Sequence, residues 1–242
     1  MSTNKHSISI SGIEVQIVRK AIKNLHLAVY PPDGSVRVSV PPHVTDDNVR
    51  LAIISKLPWI KKQQAQFEAQ PRQSRREVVS GESHYLWGQR YLLEVIERRG
   101  RHELEIKNNT TLVLYVNPKT IVCNRELVIN EWYREQIKQR VPALIEKWQP
   151  IIGKELAEWG VKKMKTKWGS CNINVGRIWI NLELAKKPLE CLEYVFVHEM
   201  VHLLERNHNA VFRGYMDKFL PQWRLYRDIL KTEPLAHEDW KY

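Results

Sequence analysis

The fourteen residues 195–208, VFVHEMVHLLERNH, constrain this chain more than any other stretch. Leu192, Val195, Phe196, Val197, Met200, Val201 and Leu203 are apolar on nearly every side of a helix read from Pro188 to Glu205. A helix that is apolar all round is buried. His198, Glu199 and His202 therefore sit where each costs desolvation unless it is paired or bound to something. His198 and His202 are four residues apart, so a helix projects both imidazoles from one face. Two imidazoles on one turn can hold one metal ion.

The pattern HExxH is the motif of zinc peptidases. Zn²⁺ held by neutral imidazoles lowers the pKa of its water to about 7. Glu199, next to the first histidine, is placed to take that water's proton as a general base. A catalytic zinc needs a third protein ligand and one open position. His208 is the favoured third ligand, with Glu205, Glu233 and Glu238 as alternatives. On a continuing helix His208 would lie roughly 9 Å beyond His202 along the axis, so the helix must stop first. Asn207 tolerates the left-handed conformation and offers that stop. The spacing HExxH-x5-H is that of the metzincins, but Glu205 stands where they carry glycine, and Met216 lies in a helical pattern and not in a Met-turn. Tyr215 and Arg213 are candidate donors to an oxyanion. Glu205 and Asp217 are candidate acceptors for the ligand rings.

The chain has 242 residues, enough for one large or two small domains with a real core. Short alternating runs, VQIV, LHLAVY and SVRVSV, read as strands, with PPDGS (residues 31–35) as a hairpin turn. A helix starts after Thr45, and Pro58 divides it into two consecutive helices. The polar stretch 68–83 is the linker candidate. A second β group follows in YLLEVIE, HELEIK and TLVLYV, then a long helical pattern from about Arg125 with Pro142 inside, and a helix in AVFRGYMDKFL ending before Pro221. No internal repeat is visible. The expected fold class is α+β: a β-rich N-terminal region, 1–75, followed by a zincin-like metallopeptidase domain, 76–242, with an HExxH helix. One continuous domain is the alternative.

The segment KKMKTKWGSC alternates Lys163, Lys165 and Lys167 with Met164, Thr166 and Trp168, and reads as an edge strand with one basic face. Such an edge can pair with an extended peptide. Cys171, a few residues on, is a possible further ligand or a plain core thiol. The net charge is +11, and residues 1–80 hold 12 basic against 6 acidic side chains. That excess favours weak association with nucleic acid, although no nucleic-acid motif is visible. Three widely spaced cysteines, no apolar run of about 18 residues and no apolar block behind a basic start give an expectation of a cytoplasmic protein off the membrane.

Beyond the motif, the chain resembles the YgjP-like metallopeptidases, relatives of the SprT-like and WLM-type zinc proteases. The resemblance rests on VHEMVHLLERNHNAVFRGYMDKFLPQW, on KWGSC and RIWINLELA before it, and on VRVSVPPHV, PWIKKQ and GESHYLWGQRYLLEV earlier in the chain. It implies His198, His202 and His208 as ligands of Zn²⁺ and Glu199 as the catalytic residue. The implied activity is hydrolysis of peptide bonds in peptides or unfolded proteins. Two rivals differ in class. A nucleic-acid-associated adaptor would close a structural zinc with a fourth ligand such as Cys171. A phosphodiesterase would call for two metals and more carboxylates.

Overall fold

The computed structural model describes residues 5–30, 34–69, 77–164 and 166–232. Glu233, Glu238, Lys165 and most of the PPDGS turn lie outside the described residues. The chain divides into two compact units, Met1–Gln73 and Ser74–Tyr242.

In the first unit, strands β1 (Lys5–Ile10), β2 (Ile13–Arg19), β3 (His26–Tyr30) and β4 (Ser35–Val40) form a sheet of order β1-β2-β4-β3. The outer pairs are antiparallel and the central β2/β4 pair is parallel. Alternation places Val15, Ile17, Val36, Val38 and Val40 on one face, where they bury against Val49, Ile53 and Ile60 of helix α1 (Asp46–Ala69). Thr45 Oγ1 accepts from Asn48 N at 3.4 Å at the start of α1. The helix does not divide at Pro58 but runs through it. Proline leaves the Ile54 carbonyl without its helical donor. Ile54 and Pro58 are both exposed, so water can serve that carbonyl and the break is not forced.

The second unit begins with the same plan. Strands β5 (Ser83–Leu86), β6 (Gln89–Glu97), β7 (Glu103–Asn108) and β8 (Thr111–Val116) order as β5-β6-β8-β7, again antiparallel, parallel, antiparallel. A long helix follows, α2 (Val122–Ile152). The first hairpins of the two sheets turn on matching pairs, Ser11–Gly12 at φ 51° and 77°, and Trp87–Gly88 at φ 49° and 81°. These are the left-handed values of a two-residue turn that suits strand twist. The fold thus contains a repeat that the sequence reading denies. α2 buries Ile129, Tyr133, Ile137, Val141, Trp148 and Ile152 on one stripe. It ends at Gly153, whose φ of 73° lets its N–H reach the Gln149 carbonyl at 2.9 Å.

Strands β9 (Glu158–Lys162), β10 (Gly169–Asn172) and β11 (Arg177–Asn181) form a small sheet of order β10-β11-β9. Then come α3 (Leu189–Val201), α4 (Ala210–Phe219) and α5 (Trp223–Thr232). The Trp87–Gly88 turn between β5 and β6 braces the start of α3. Trp87 N donates to Ala185 O at 2.8 Å, and a Cβ on Gly88 would meet Pro188 at 3.2 Å. The lysine stretch is not a strand. The described residues between Lys162 and Gly169 are a loop, and β10, the edge of its sheet, starts only at Gly169. No helix among the described residues is long and apolar enough to cross a membrane.

Candidate metal centre

α3 carries His198 and Glu199, and it stops at Val201 with His202 as its C-cap. The helix therefore ends earlier than Glu205 and does not need Asn207 to end it. The His202 N–H reaches His198 O at 3.3 Å, and the next two N–H groups bond three residues back, tightening the chain into a turn. Residues 202–209 then reverse direction into α4. Asn209 caps α4 by accepting from Phe212 N at 3.0 Å. This places His208 against the turn it has just left.

The three histidines converge. One ligand nitrogen of each of His198, His202 and His208 falls in a group that lies within 4.8 Å. The Nε2 atoms of His198 and His208 are 3.0 Å apart. Phe212, buried on α4, backs all three rings at centroid distances of 4.9, 4.8 and 4.7 Å. His202 Nδ1 lies 3.1 Å from the Glu205 carbonyl, so its N–H donates there and Nε2 keeps a free lone pair. His198 Nδ1 is buried with no hydrogen-bond partner among the described residues. Burial, then the neighbouring His202 and His208, push the His198 pKa down to about 3. Burial likewise lowers that of His202. Neutral imidazoles crowded tip to tip are a poor arrangement by themselves and a good one for a metal that shares their lone pairs. The donor set fits a zinc ion.

Glu199 is 6% exposed. Burial pushes its pKa up to about 8, against the opposing pull of Lys167. Its side chain meets the edge strand: a Cβ built on Gly169 would lie 2.7 Å from Glu199 Oε1. Gly169, Trp168, Cys171, Tyr194, His198 and Glu199 are among the walls of a cavity of about 520 Å³. Cys171 is not in the histidine group. Burial and the nearby Glu199 raise its pKa to about 11, which leaves a protonated thiol. No fourth His, Cys, Asp or Glu joins the group among the described residues.

The other sequence candidates are engaged elsewhere. The Glu205 carboxylate accepts from Asn207 N at 2.8 Å, and only its backbone carbonyl serves His202. Asp217 accepts from Trp223 Nε1 at 2.7 Å and pairs with Arg224. Arg213 donates to the backbone carbonyl of His208 at 3.4 Å. Tyr215 stacks on Phe219 with centroids 6.0 Å apart. Neither of these two lines the cavity. Tyr194 does, packed edge-on to His198 at 5.8 Å, and burial pushes its pKa up to about 12, so it keeps its O–H. It stands four residues before His198, a helical-face signal that was available in the sequence. Asn181 was not foreseeable in the same way. Fully buried at the end of β11, its Oδ1 accepts from Met164 N and Glu183 N, and its Nδ2 donates to Met164 O and Lys167 O. It holds the loop that leads into β10.

Three nitrogen donors with a buried carboxyl beside them, on the wall of an open cavity, fit the class of metallopeptidases. The family described as YgjP-like, metallopeptidase domain, matches residues 23–233. The chain belongs to that family. Among solved structures, the metallopeptidase zymogen abylysin of Pyrococcus abyssi is similar at 19% identity, with 40% of this chain and 99% of that chain covered and a TM-score of 0.36, too slight a likeness to carry an argument. No curated protein matches in sequence.

Proposed function

We propose that the chain is a zinc-dependent peptidase with a zincin-like domain. His198, His202 and His208 would hold the metal, and Glu199 is the general base. The observation that carries this reading is the placement of the Glu199 carboxyl on the cavity wall, beside the histidine group and outside it. Bound there, zinc supplies Lewis acidity, which lowers the pKa of a water and polarises the scissile carbonyl. The charge of a cation held by the histidines would bring the Glu199 carboxyl back down from its metal-free value, so that as a carboxylate it accepts the proton of the attacking water and hands it to the leaving amine nitrogen. Tyr194, whose hydroxyl burial keeps protonated, is an O–H donor among the residues of the same cavity wall and replaces Tyr215 and Arg213 as the candidate for oxyanion stabilisation. β10 offers a free sheet edge beside Glu199 to an extended peptide.

Glu199→Gln tests the reading. The amide keeps the shape and cannot accept a proton, so cleavage of an unfolded protein such as casein should fall by at least about 10²–10⁴. Zinc content, measured by elemental analysis, should stay near one per chain, because Glu199 is not a ligand. Equal cleavage by both proteins would reject Glu199 as the base. Loss of zinc with no cleavage by either would favour a structural metal.

A further inference from the structure

The charges around the cavity are one-sided. Lys167, Arg206, Arg227 and Lys231 line it, and among the described residues Glu199 is its single acidic lining residue. Glu199 is buried, whereas Lys167, Arg206 and Lys231 are exposed. On α5, Asp228 takes up part of the charge, pairing with Arg227 at 2.9 Å and Lys231 at 3.4 Å. Among the described residues neither the Lys167 nor the Arg206 side chain is tied into a hydrogen bond or ion pair, and the one acid that acts on Lys167 is the buried Glu199. These two cations come from different segments. Lys167 sits on the loop held by Asn181, just before the edge strand, and its backbone carbonyl accepts from Asn181 Nδ2 at 2.7 Å. Arg206 sits on the turn between His202 and His208, and it also lines an adjoining cavity of about 470 Å³. An extended chain passing Glu199 would thus have a cation from the β10 side and another from the metal-ligand turn.

We infer that the cleft selects acidic peptide segments, with Lys167 and Arg206 as the specificity-determining residues that receive Asp or Glu side chains flanking the scissile bond. The inference rests on the proposed peptidase site and adds its substrate class. A lysine- or arginine-rich segment meets repulsion from the same rim. Cations lining a cleft also speed the arrival of acidic chains, an effect that salt weakens.

The test is a binding measurement on the zinc-loaded full chain carrying Glu199→Gln, so that no probe is consumed. The probes are a fluorescent extended peptide rich in Glu and Asp and its Gln/Asn isostere. Each exposed ion pair gives up to about fivefold in affinity, so two give a preference of up to about 25-fold for the acidic peptide at low salt. Adding Lys167→Gln and Arg206→Gln should abolish the preference, and Lys167→Glu with Arg206→Glu should turn it toward a Lys-rich peptide. Arg50→Gln with Lys61→Gln, two exposed cations of α1, should leave it intact. Equal binding of both probes, no binding of either, or an equal loss in the α1 variant overturns the inference. Cleavage by the wild type is read separately. If the acidic preference holds and nothing is cleaved, the peptidase reading fails while the charge selection stands.

Discussion

Gly169 and Glu199 touch: a methyl group on the glycine would fall 2.7 Å from Glu199 Oε1 and 2.8 Å from both Glu199 Cγ and Val195 Cγ1. The edge strand thus lies directly on the face of α3 that carries the carboxyl. Glycine at 169 sets that spacing, since any side chain would lift the strand or turn the carboxyl. Gly169→Ala should cost about 1–3 kcal/mol by overpacking, read in a urea melt. Its larger effect should be on cleavage, because the general base is displaced while the histidines are not. Zinc content should stay near that of the wild type. A variant with full activity would mean that the contact is slack.

Of the candidate third ligands, His208 and Glu205 lie among the described residues, and they separate cleanly. His208 lies in the group of three ring nitrogens, while the Glu205 carboxylate caps the turn at Asn207. His208→Ala should bring zinc well below one equivalent and lower the melting temperature of the zinc-loaded protein, since metal binding is linked to folding. Glu205→Ala should keep one equivalent, because the backbone carbonyl that serves His202 is untouched. Elemental analysis of the two variants decides, and the reverse pattern rejects His208.

How much of this was legible in the sequence depends on whether a signal is local. Alternation alone identifies β3, β4, β6 and β8, and the four-residue periodicity of Ile129, Tyr133, Ile137 and Val141 identifies α2. The repeat of sheet and helix stays hidden, because two hairpins share little more than a glycine at the same place in the turn. Lys163, Lys165 and Lys167 mimic a strand by spacing, but the loop conformation is imposed by Asn181 from another strand. α5 is amphipathic and lies past Pro221, where the reading stops too soon. In the site, the histidine spacing is readable from the chain. Phe212 and the Gly169 contact exist only once α4 and β10 are packed on α3.

Phe212 gives a prediction that spacing alone does not. Its ring backs His198, His202 and His208 at once and is buried. Phe212→Ala should cost about 3–5 kcal/mol in stability. It should also weaken zinc binding although no ligand is changed, because the rings lose the surface that orients them. Phe212→Leu, which refills most of the volume, should recover most of the stability and less of the affinity. Competition with a chelator measures the second quantity. Unchanged zinc affinity in Phe212→Ala would show that the turn alone positions the rings.

Asn181 offers the sharpest separation of fold from site, because its four hydrogen bonds all go to backbone groups and none to the histidines. The side chain is fully buried, at 0% exposure. Asn181→Asp keeps the size and both accepting bonds of Oδ1. It removes the Nδ2 donor, so Met164 O and Lys167 O each lose a partner in the interior, and a carboxylate is left facing two carbonyl oxygens. Each group left unsatisfied costs about 1–3 kcal/mol, and the buried charge adds to that. The loop that leads into β10 should loosen first, since it carries the two carbonyls that lose their donor. Hydrogen exchange should therefore rise in that loop and in β10 before it rises in α3. Cleavage should drop, because Lys167 and the Gly169 edge are no longer held against Glu199, while zinc stays near one equivalent. Protection unchanged in the loop, with activity intact, would mean that β10 is positioned by β11 pairing alone and that Asn181 is not its anchor.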